Sequence, residues 1–401
     1  MATATETCAT VNEPAHLYAA AVDRLLALQP GPASLLRRAV ALDPGFAPAH
    51  AGLALLHHRA GRSAAAHRRL ERAAGAAARA TRRERSHVAA LAELIESGGS
   101  QGWPRLRSHL AEFPRDRLLL QEGAEVMTWN GPGDPRPGRL AFLSGFAPAN
   151  AGDWWLPGDM AFDLAEAGRL AEARRLARRA LARNPRHAGA AHSLAHVYFE
   201  TAQDGEGAAF LRTWLSTYDP RGEEHSHLQW HLGLFELRQG HEAAAMEVYD
   251  RGLDPTAVPR RRLSDVASFL WRRHLAGARN LPWEPVRRMA RRTAARPASP
   301  FQHVHAAMAF AGAGDRASMG DLLRRLRVRA EAGDAGAGEV SLPLAMALDA
   351  FGQGAYAESV RRLEGATEAV PRLGGSNAQR AIFGLTLVEA RRRARARQYV
   401  N

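Results

Sequence analysis

The chain has 401 residues, 46% of them hydrophobic, and a formal net charge of +13. That apolar content is enough for a packed core, and the absence of eighteen consecutive apolar residues argues against a membrane span. Alanine and arginine dominate, lysine is absent and β-branched residues are sparse, so the composition predicts helices. Cys8 is the only cysteine, which excludes an intrachain disulfide and favours the reducing cytoplasm.

The positive charge has two possible interpretations. It could bind an acidic or nucleic-acid partner, or it could belong to arginine-rich helix faces that are exposed to solvent. The arginines occur in runs such as "RRLARRALAR" and "LLRRLRVR", on the outer side of predicted helices. No aromatic residues interleave with these runs as stacking platforms for bases would require. We therefore expect solvated faces and no nucleic-acid site. Residues 1–14 carry no basic region followed by an apolar run, so we expect a cytoplasmic protein without membrane attachment.

The predicted elements divide the chain into five parts. Residues 1–14 form a polar leader, and residues 15–130 form helical repeats with loose spacing. A Gly/Pro-rich run over 131–152 breaks the helical pattern, and we expect it to be a loop over a groove or a joint between two halves. A block of five repeats follows over 153–329. Residues 330–401 form a last helix pair and a capping helix, because the end of a repeat array has no neighbour.

The five-repeat block is recognised by glycines that end one helix and precede the next. They are Gly168, Gly205, Gly240, Gly277 and Gly314, with gaps of 37, 35, 37 and 37 residues. This period is typical of a two-helix repeat. The sequence thus predicts an all-α, tetratricopeptide-like α-α superhelix, a solenoid of antiparallel helix pairs.

Polar residues recur at two positions of each first helix. Nine residues before the glycines stand Asp159, His196, His231, Ser268 and His305, and thirteen before stand Trp155, His192, His227, Ser264 and Phe301. Positions four apart lie on one helix face, and stacked repeats place equivalent positions side by side. We therefore expect a histidine-rich strip across successive helices.

Two histidine pairs in this strip have the spacing of metal ligands. His192 and His196 lie four apart on one first helix, and His227 and His231 repeat the pattern 35 residues later. Facing pairs on adjacent helices supply three or four nitrogens, which suits zinc or iron. Glu200, one turn further on, is then a candidate general base for a metal-activated water. The alternative is that the imidazoles only form structural hydrogen bonds.

The same strip also predicts a ligand groove. Its walls would be formed by Trp155, Asp159, Phe199, Trp230, Ser268, Trp271 and His305. Such a groove suits a peptide, a protein segment or a partly apolar small molecule, and ordinary helix packing is the alternative. HExxH, GxxxxGK[ST], GxSxG and dinucleotide-binding motifs are absent, which argues against the common enzyme classes and leaves enzymatic activity open. A non-catalytic binding scaffold, able to form a homodimer through its end helices, is the first hypothesis, and a metal-dependent enzyme or metal-binding protein is the second.

Two features link the chain to known families. The segment "GRLAEARRLARRALARNPRH" resembles a tetratricopeptide repeat. With "RRERSHVAAL", "HSLAH", "WHLGLFELRQG" and the late "GGSNAQR" in order, residues 15–390 resemble the tetratricopeptide repeat protein 38 family, including its bacterial relatives. The resemblance implies a helical solenoid whose first helices line a concave groove. The family has His in place of Asn377 and Asp in place of Ala381, and we expect "GGSNAQR" to cap a helix, with anion binding as the alternative.

Overall fold

The computed structural model describes residues 13–129, 136–253, 263–296 and 298–398, and within these ranges the regular structure is helical throughout. Consecutive helices pair antiparallel, so the predicted all-α helical-repeat fold is confirmed. The leader, apart from its last two residues, lies outside the described residues. The chain separates into two compact units, and each is described by itself.

The first unit comprises Met1–Leu164, Arg175–Ala190 and Arg221–Glu223. Its apolar core includes Leu91, Leu106, Leu119 and Trp155, all at most 1% exposed. Its helices are α1 Glu13–Leu26, α2 Pro32–Leu42, α3 Ala47–Arg59, α4 Ser63–Ala77, α5 Arg82–Ser97, α6 Gly99–Glu112, α7 Arg117–Trp129 and α8 Arg136–Phe146, together with most of α9 Trp155–Glu166 and the second half of α10 Leu170–Arg183.

The second unit comprises Ala165–Arg174, Ala191–Pro220 and Glu224–Asn401. Its core is built on large aromatic side chains, among them Phe235, Phe269, Phe310 and Phe351. Its helices are α11 Ala188–Glu200, α12 Asp204–Leu215, α13 His225–Arg238, α14 Glu242–Gly252, α15 Leu263–Leu275, α16 Trp283–Ala294, α17 Pro300–Ala313, α18 Arg316–Glu331, α19 Leu342–Gly352, α20 Tyr356–Gly365 and α21 Asn377–Gln398, with a π-helical turn at Gly336–Ser341 before α19.

In the central repeats the first helix of each pair is buried on almost every side, whereas the second is not. In α13 the nine residues from Leu228 to Glu236 include only one that is not buried, Gln229. In α16 the buried residues form one stripe, and four arginines and Glu284 are among the residues on the remaining surface. Polar side chains on first helices are therefore forced into the interior, where they need partners.

The turns between paired helices match the predicted glycines with one exception. Gly168, Gly240, Gly277 and Gly314 adopt left-handed φ values between 66° and 93°, a conformation that glycine enters without a steric cost. Gly205 instead lies inside α12, and the left-handed residue of that turn is Ala202, with a φ of 53°. The second turn therefore comes three residues earlier than the glycine spacing predicts.

The Gly/Pro-rich run 131–152 is not a continuous loop. Helix α8 occupies Arg136–Phe146, and its Leu143 is fully buried while Phe142 and Phe146 pack against the core of the first unit. Burial of these side chains offsets the weak helix propensity of the flanking residues. Residues 131–135 lie outside the described residues. Among the described helices, none is long and apolar enough for a membrane span.

Candidate metal centre

Four imidazoles meet inside the second unit. His192 and His196 come from α11, and His227 and His231 come from α13. Each offers one nitrogen, and these four nitrogens all lie within 4.8 Å of one another. His192 Nε2 lies 2.9 Å from His196 Nε2 and 3.0 Å from His227 Nε2. We call these four residues the histidine cluster.

The convergence follows from helix geometry rather than from equal repeat positions. Counted from the left-handed residue that ends each turn, His196 stands six residues before Ala202 and His231 nine before Gly240. The difference is close to one helical turn, so both pairs still lie on the faces that pack together. The ring centroids of His196 and His231 are 4.6 Å apart.

A carboxylate lies behind each of two cluster histidines. His227 Nδ1 lies 3.1 Å from Asp265 Oδ2, and His196 Nδ1 lies 3.3 Å from Glu166 Oε1. A carboxylate next to Nδ1 favours a proton on that nitrogen, which in the neutral ring leaves the lone pair on Nε2. Both Nε2 atoms are directed at His192. This carboxylate–imidazole arrangement is the usual outer shell of a metal site.

Glu166 is itself held by the late motif of the chain. The backbone N–H of Asn377 donates to Glu166 Oε2 at 2.8 Å, and Arg380 Nη2 lies 3.6 Å from the same oxygen. The amide belongs to the first turn of α21, where the helix dipole favours a negative charge. "GGSNAQR" also forms the expected helix cap, since Gln379 N donates to Ser376 Oγ at 3.3 Å.

Burial sets the electrostatics of the cluster. His196 and His231 are fully buried, and 18% of the His227 side chain is exposed. Burial, with the neighbouring imidazoles, lowers the pKa of His192 and His231 well below the usual range, so their neutral forms are favoured. At His227 burial acts in the same direction, but Asp265 outweighs it and raises the pKa to about 9. Neither ring nitrogen of His231 has a hydrogen-bond partner among the described residues.

Two residues predicted to line a groove instead support the histidine cluster. Trp230 is fully buried and stacks on His227, with ring centroids 5.2 Å apart. Its indole N–H donates to Ser268 Oγ at 3.0 Å, and that hydroxyl donates to the backbone carbonyl of Asp265 at 3.2 Å. The guanidinium of Arg272 lies 5.5 Å from the centroid of the Trp230 ring. These contacts fix His227 and the helix that carries its carboxylate.

The other predicted groove residues do not form one open surface. Trp155 and Trp271 are at most 1% exposed and pack in the cores of different units. Asp159 belongs to the first unit, where it pairs with Arg139, and Phe199 is partly buried beneath the guanidinium of Arg238. Both tryptophans are covered because the first helices of the central repeats are buried on nearly every side, and the ligand groove stays a prediction.

Two predicted polar residues lie outside the histidine cluster. His305 is 1% exposed, and its Nδ1 donates to the carbonyl of Phe301 at 2.7 Å. Glu200 lies at the exposed end of α11, and the carboxylate in contact with His196 is that of Glu166. The role of Glu200 as a general base stays a prediction. Glu166 and Asp265 were missed, although Asp265 directly follows Ser264, a residue of the predicted strip.

A second histidine group lies in the first unit and differs in its bonding. His87 Nδ1 lies 2.8 Å from Asp116 Oδ2, and its Nε2 accepts from Tyr18 Oη at 2.8 Å. His109 contacts Asp116 through Nε2 at 3.2 Å and Ser86 Oγ through Nδ1 at 2.9 Å. His87 is 4% exposed and has a hydrogen-bond partner at both nitrogens. All four imidazole nitrogens of this second group therefore have hydrogen-bond partners within the first unit.

Comparison with known proteins agrees with the helical-repeat architecture. Residues 164–229, which include three of the four cluster histidines, match the tetratricopeptide repeat family. The chain is similar at 14% identity to the human IFIT1 dimer with m7Gppp-AAAA, covering 97% of this chain and 89% of that chain with a TM-score of 0.49. The P58(IPK) TPR domain shares 15% identity, with 96% of this chain and 99% of that chain covered at a TM-score of 0.24.

These comparisons bear on the predictions at different levels. They support a tetratricopeptide-repeat protein, while the closer resemblance to the tetratricopeptide repeat protein 38 family stays a prediction. The two structures share low identity and low TM-scores with this chain, so they carry no argument about its ligand. The expectation that nucleic acid is not a partner is not confirmed, and a homodimer also stays a prediction.

Proposed function

We propose that this protein binds one divalent transition metal ion, zinc or iron, through His192, His196, His227 and His231. The observation that carries the proposal is His231, which is fully buried with two unpartnered ring nitrogens while three other imidazole nitrogens lie within 4.8 Å. Each unsatisfied buried nitrogen costs about 1–3 kcal/mol. Coordination removes this cost at one nitrogen, because a metal accepts the lone pair.

Proton counting supports the same conclusion. His196 Nδ1 lies 3.3 Å from Glu166 Oε1 and His227 Nδ1 lies 3.1 Å from Asp265 Oδ2. In the neutral form of these two rings with the proton on Nδ1, both Nε2 lone pairs face His192 Nε2, at 2.9 Å and 3.0 Å. A single N–H on His192 satisfies one of them well. If His227 is protonated, its Nε2 donates a hydrogen bond to His192 Nε2. His231 still has no hydrogen-bond partner among the described residues. A cation at the centre of the four nitrogens satisfies all of these lone pairs together.

The distances suit a metal. Zinc binds imidazole nitrogen at about 2.0–2.1 Å, which places tetrahedral ligand nitrogens roughly 3.3–3.4 Å apart. The closest pairs of the histidine cluster lie slightly inside this spacing, at 2.9 Å and 3.0 Å. The donor set of four imidazoles with carboxylates behind two of them suits zinc or iron better than magnesium or calcium, which prefer oxygen.

Metal content of the full-length protein tests the proposal. The protein is purified without an affinity tag or chelator, and its zinc and iron are measured by mass spectrometry. We expect near-stoichiometric metal in the parent protein and a large loss in His231→Ala. His109→Ala is the matched control, because it removes a buried imidazole from the self-satisfied group of the first unit and should retain the metal. Circular dichroism verifies that each variant is folded.

Two outcomes contradict the proposal. One is a parent protein that stays metal-free after incubation with zinc(II) or with iron(II) under reducing conditions. The other is equal metal content in the parent and a folded His231→Ala variant.

A partner-binding scaffold is the second candidate function, supported by the tetratricopeptide repeat match over residues 164–229. The partner is a protein, a peptide or a small molecule. Mass spectrometry of material that co-purifies with the parent and with His196→Ala, His231→Ala tests it. If the double variant retains the partner, the partner binds away from the histidine cluster. If the partner is lost together with the metal, partner binding depends on the metal site. Reproducible absence of any stoichiometric partner argues against the scaffold.

A further inference from the structure

A cavity of the first unit lies where three helices begin. It has a volume of ≈ 380 Å³ and is lined by residues at the starts of α3, α5 and α7 and along one face of α1. This volume is at the low end of the roughly 300–1,000 Å³ typical of small-molecule sites. We call it the arginine cavity, after Arg83, Arg115 and Arg117 in its wall.

Both carboxylates in the cavity wall already have hydrogen-bond partners. Glu84 accepts hydrogen bonds from the backbone N–H and the hydroxyl of Thr81, both at 2.8 Å, in a capping box at the start of α5. Asp116 Oδ2 lies 2.8 Å from His87 Nδ1 and 3.2 Å from His109 Nε2. Both carboxylates are therefore engaged by neighbouring protein groups.

Two of the three arginines in the wall lack a comparably close charged partner. Among the residues that the structure describes, the nearest acidic oxygen to Arg83 is Asp116 Oδ2 at 4.0 Å, and that oxygen is engaged by both histidines. Arg115 donates its Nε–H to the carbonyl of Ala149 at 2.9 Å and makes no ion pair within the described ranges. Arg117 differs, because its Nη1 lies 2.7 Å from Asp23 Oδ1. The wall therefore offers two guanidinium groups that lack a close carboxylate.

The rest of the wall adds positive potential and an apolar surface. The helices that start at Ala47, Arg82 and Arg117 direct their positive dipole ends toward this region. The Tyr18 hydroxyl donates to His87 Nε2 at 2.8 Å, and burial raises its pKa well above the usual range, so it adds no negative charge. Val22, Phe46, Pro48 and Leu118 supply the apolar part.

We propose that the arginine cavity binds a small organic anion, with a carboxylate or phosphate group held by Arg83 and Arg115 and an apolar body against Val22 and Phe46. Arginine forms paired hydrogen bonds with the planar edge of a carboxylate or with phosphate oxygens. The arginine cavity belongs to the first unit and the histidine cluster to the second.

Isothermal titration calorimetry of the full-length protein tests this proposal with three probes. Octanoate carries a carboxylate on an apolar chain, phenyl phosphate carries a phosphate on an apolar ring, and inorganic phosphate lacks the apolar body. We expect saturable one-site binding of octanoate or phenyl phosphate, and the tighter of the two identifies the preferred head group. Inorganic phosphate is expected to bind at least about tenfold more weakly, because it buries no apolar area.

Matched variants locate the binding. Arg83→Gln is expected to weaken the preferred probe by about tenfold or more, since a charge-assisted hydrogen bond is lost. Arg82→Gln removes the same charge from the adjacent position, where the side chain pairs with Glu112 at 2.9 Å outside the cavity wall, and should bind as the parent does. Arg115→Gln provides a second test. The proposal is overturned if neither organic probe binds at millimolar concentration, or if Arg83→Gln and Arg115→Gln both bind as tightly as Arg82→Gln.

Discussion

The backbone amide of Asn377 donates a hydrogen bond of 2.8 Å to Glu166, across 211 residues of sequence. Glu166 in turn lies 3.3 Å from His196, so the first turn of the C-terminal helix α21 is one contact removed from the histidine cluster. The conformation of α21 and the orientation of His196 are thereby linked. A change at either end of this chain of contacts is expected to alter metal affinity.

Glu166→Gln is expected to weaken zinc or iron binding by about 10–100-fold, the usual effect of removing an outer-shell carboxylate. The amide oxygen of glutamine can still accept from Asn377, so the helix contact survives while the charge is lost. Competition with a chromophoric chelator measures the affinity. Glu172→Gln is the control, because Glu172 pairs with Arg169, three residues away on the same exposed surface. Equal affinities of the two variants would contradict the role of Glu166.

His231→Leu is expected to raise the free energy of unfolding of the metal-free protein by at least about 1–3 kcal/mol, the cost of one unpartnered buried nitrogen, because it removes two of them. The same variant should lose the stabilisation that added metal gives the parent. Urea unfolding with and without a chelator measures both effects.

His109→Leu is the matched comparison for that result. Its two nitrogens contact Ser86 and Asp116, so this substitution is expected to lower the free energy of unfolding by about 1–3 kcal/mol. If His231→Leu destabilises the metal-free protein as His109→Leu does, the histidine cluster is structural rather than a metal site.

His187 is expected to make the protein sensitive to acid. Burial lowers the pKa of His187 to about 3, whereas histidine in an unfolded chain titrates near 6.5. Below about pH 6.5 the unfolded state takes up a proton that the native state does not bind until about pH 3. Stability therefore falls with pH through this window, by about 2 kcal/mol at pH 5 from this residue. Urea unfolding of the parent and His187→Gln at pH 7 and pH 5 should show a steeper loss in the parent, and parallel losses would contradict the assignment.

Gly102 is expected to resist substitution because α5 and α6 approach closely there. A Cβ at this position would lie 2.8 Å from Leu94 Cα, a backbone atom that cannot move aside. Gly102→Ala should cost about 1–3 kcal/mol of unfolding free energy. Gly75→Ala is the control, since no atom lies within 4 Å of its Cβ, and it should stabilise α4 by about 0.5–1 kcal/mol. Thermal unfolding of both variants checks the pair, and equal shifts would show that the helices can separate at no cost.

The periodicity of the sequence predicted much of the fold. Glycine spacing located the helix pairs of the central block, and four of its five glycines adopt the left-handed turn conformation, since that conformation favours glycine over other residues. The prediction of a turn at Gly205 was wrong, because Ala202 adopts the left-handed turn conformation instead. The helix α8 was missed because proline and glycine dominate its flanks, and its Leu143 is stabilised by packing that the local sequence does not encode.

For the site, the histidine spacing was sufficient to predict that each pair occupies one face of its helix, because residues four apart lie on the same face. The carboxylates that contact these histidines could not be predicted in this way. Glu166 and Asp265 come from other helices, and the contact of Glu166 with Asn377 joins residues 211 positions apart. The tertiary structure also decided that Trp230 and Trp271 are buried rather than exposed in a groove. The physical reason is that periodicity fixes where side chains lie on one helix, whereas burial and contacts depend on how several helices pack.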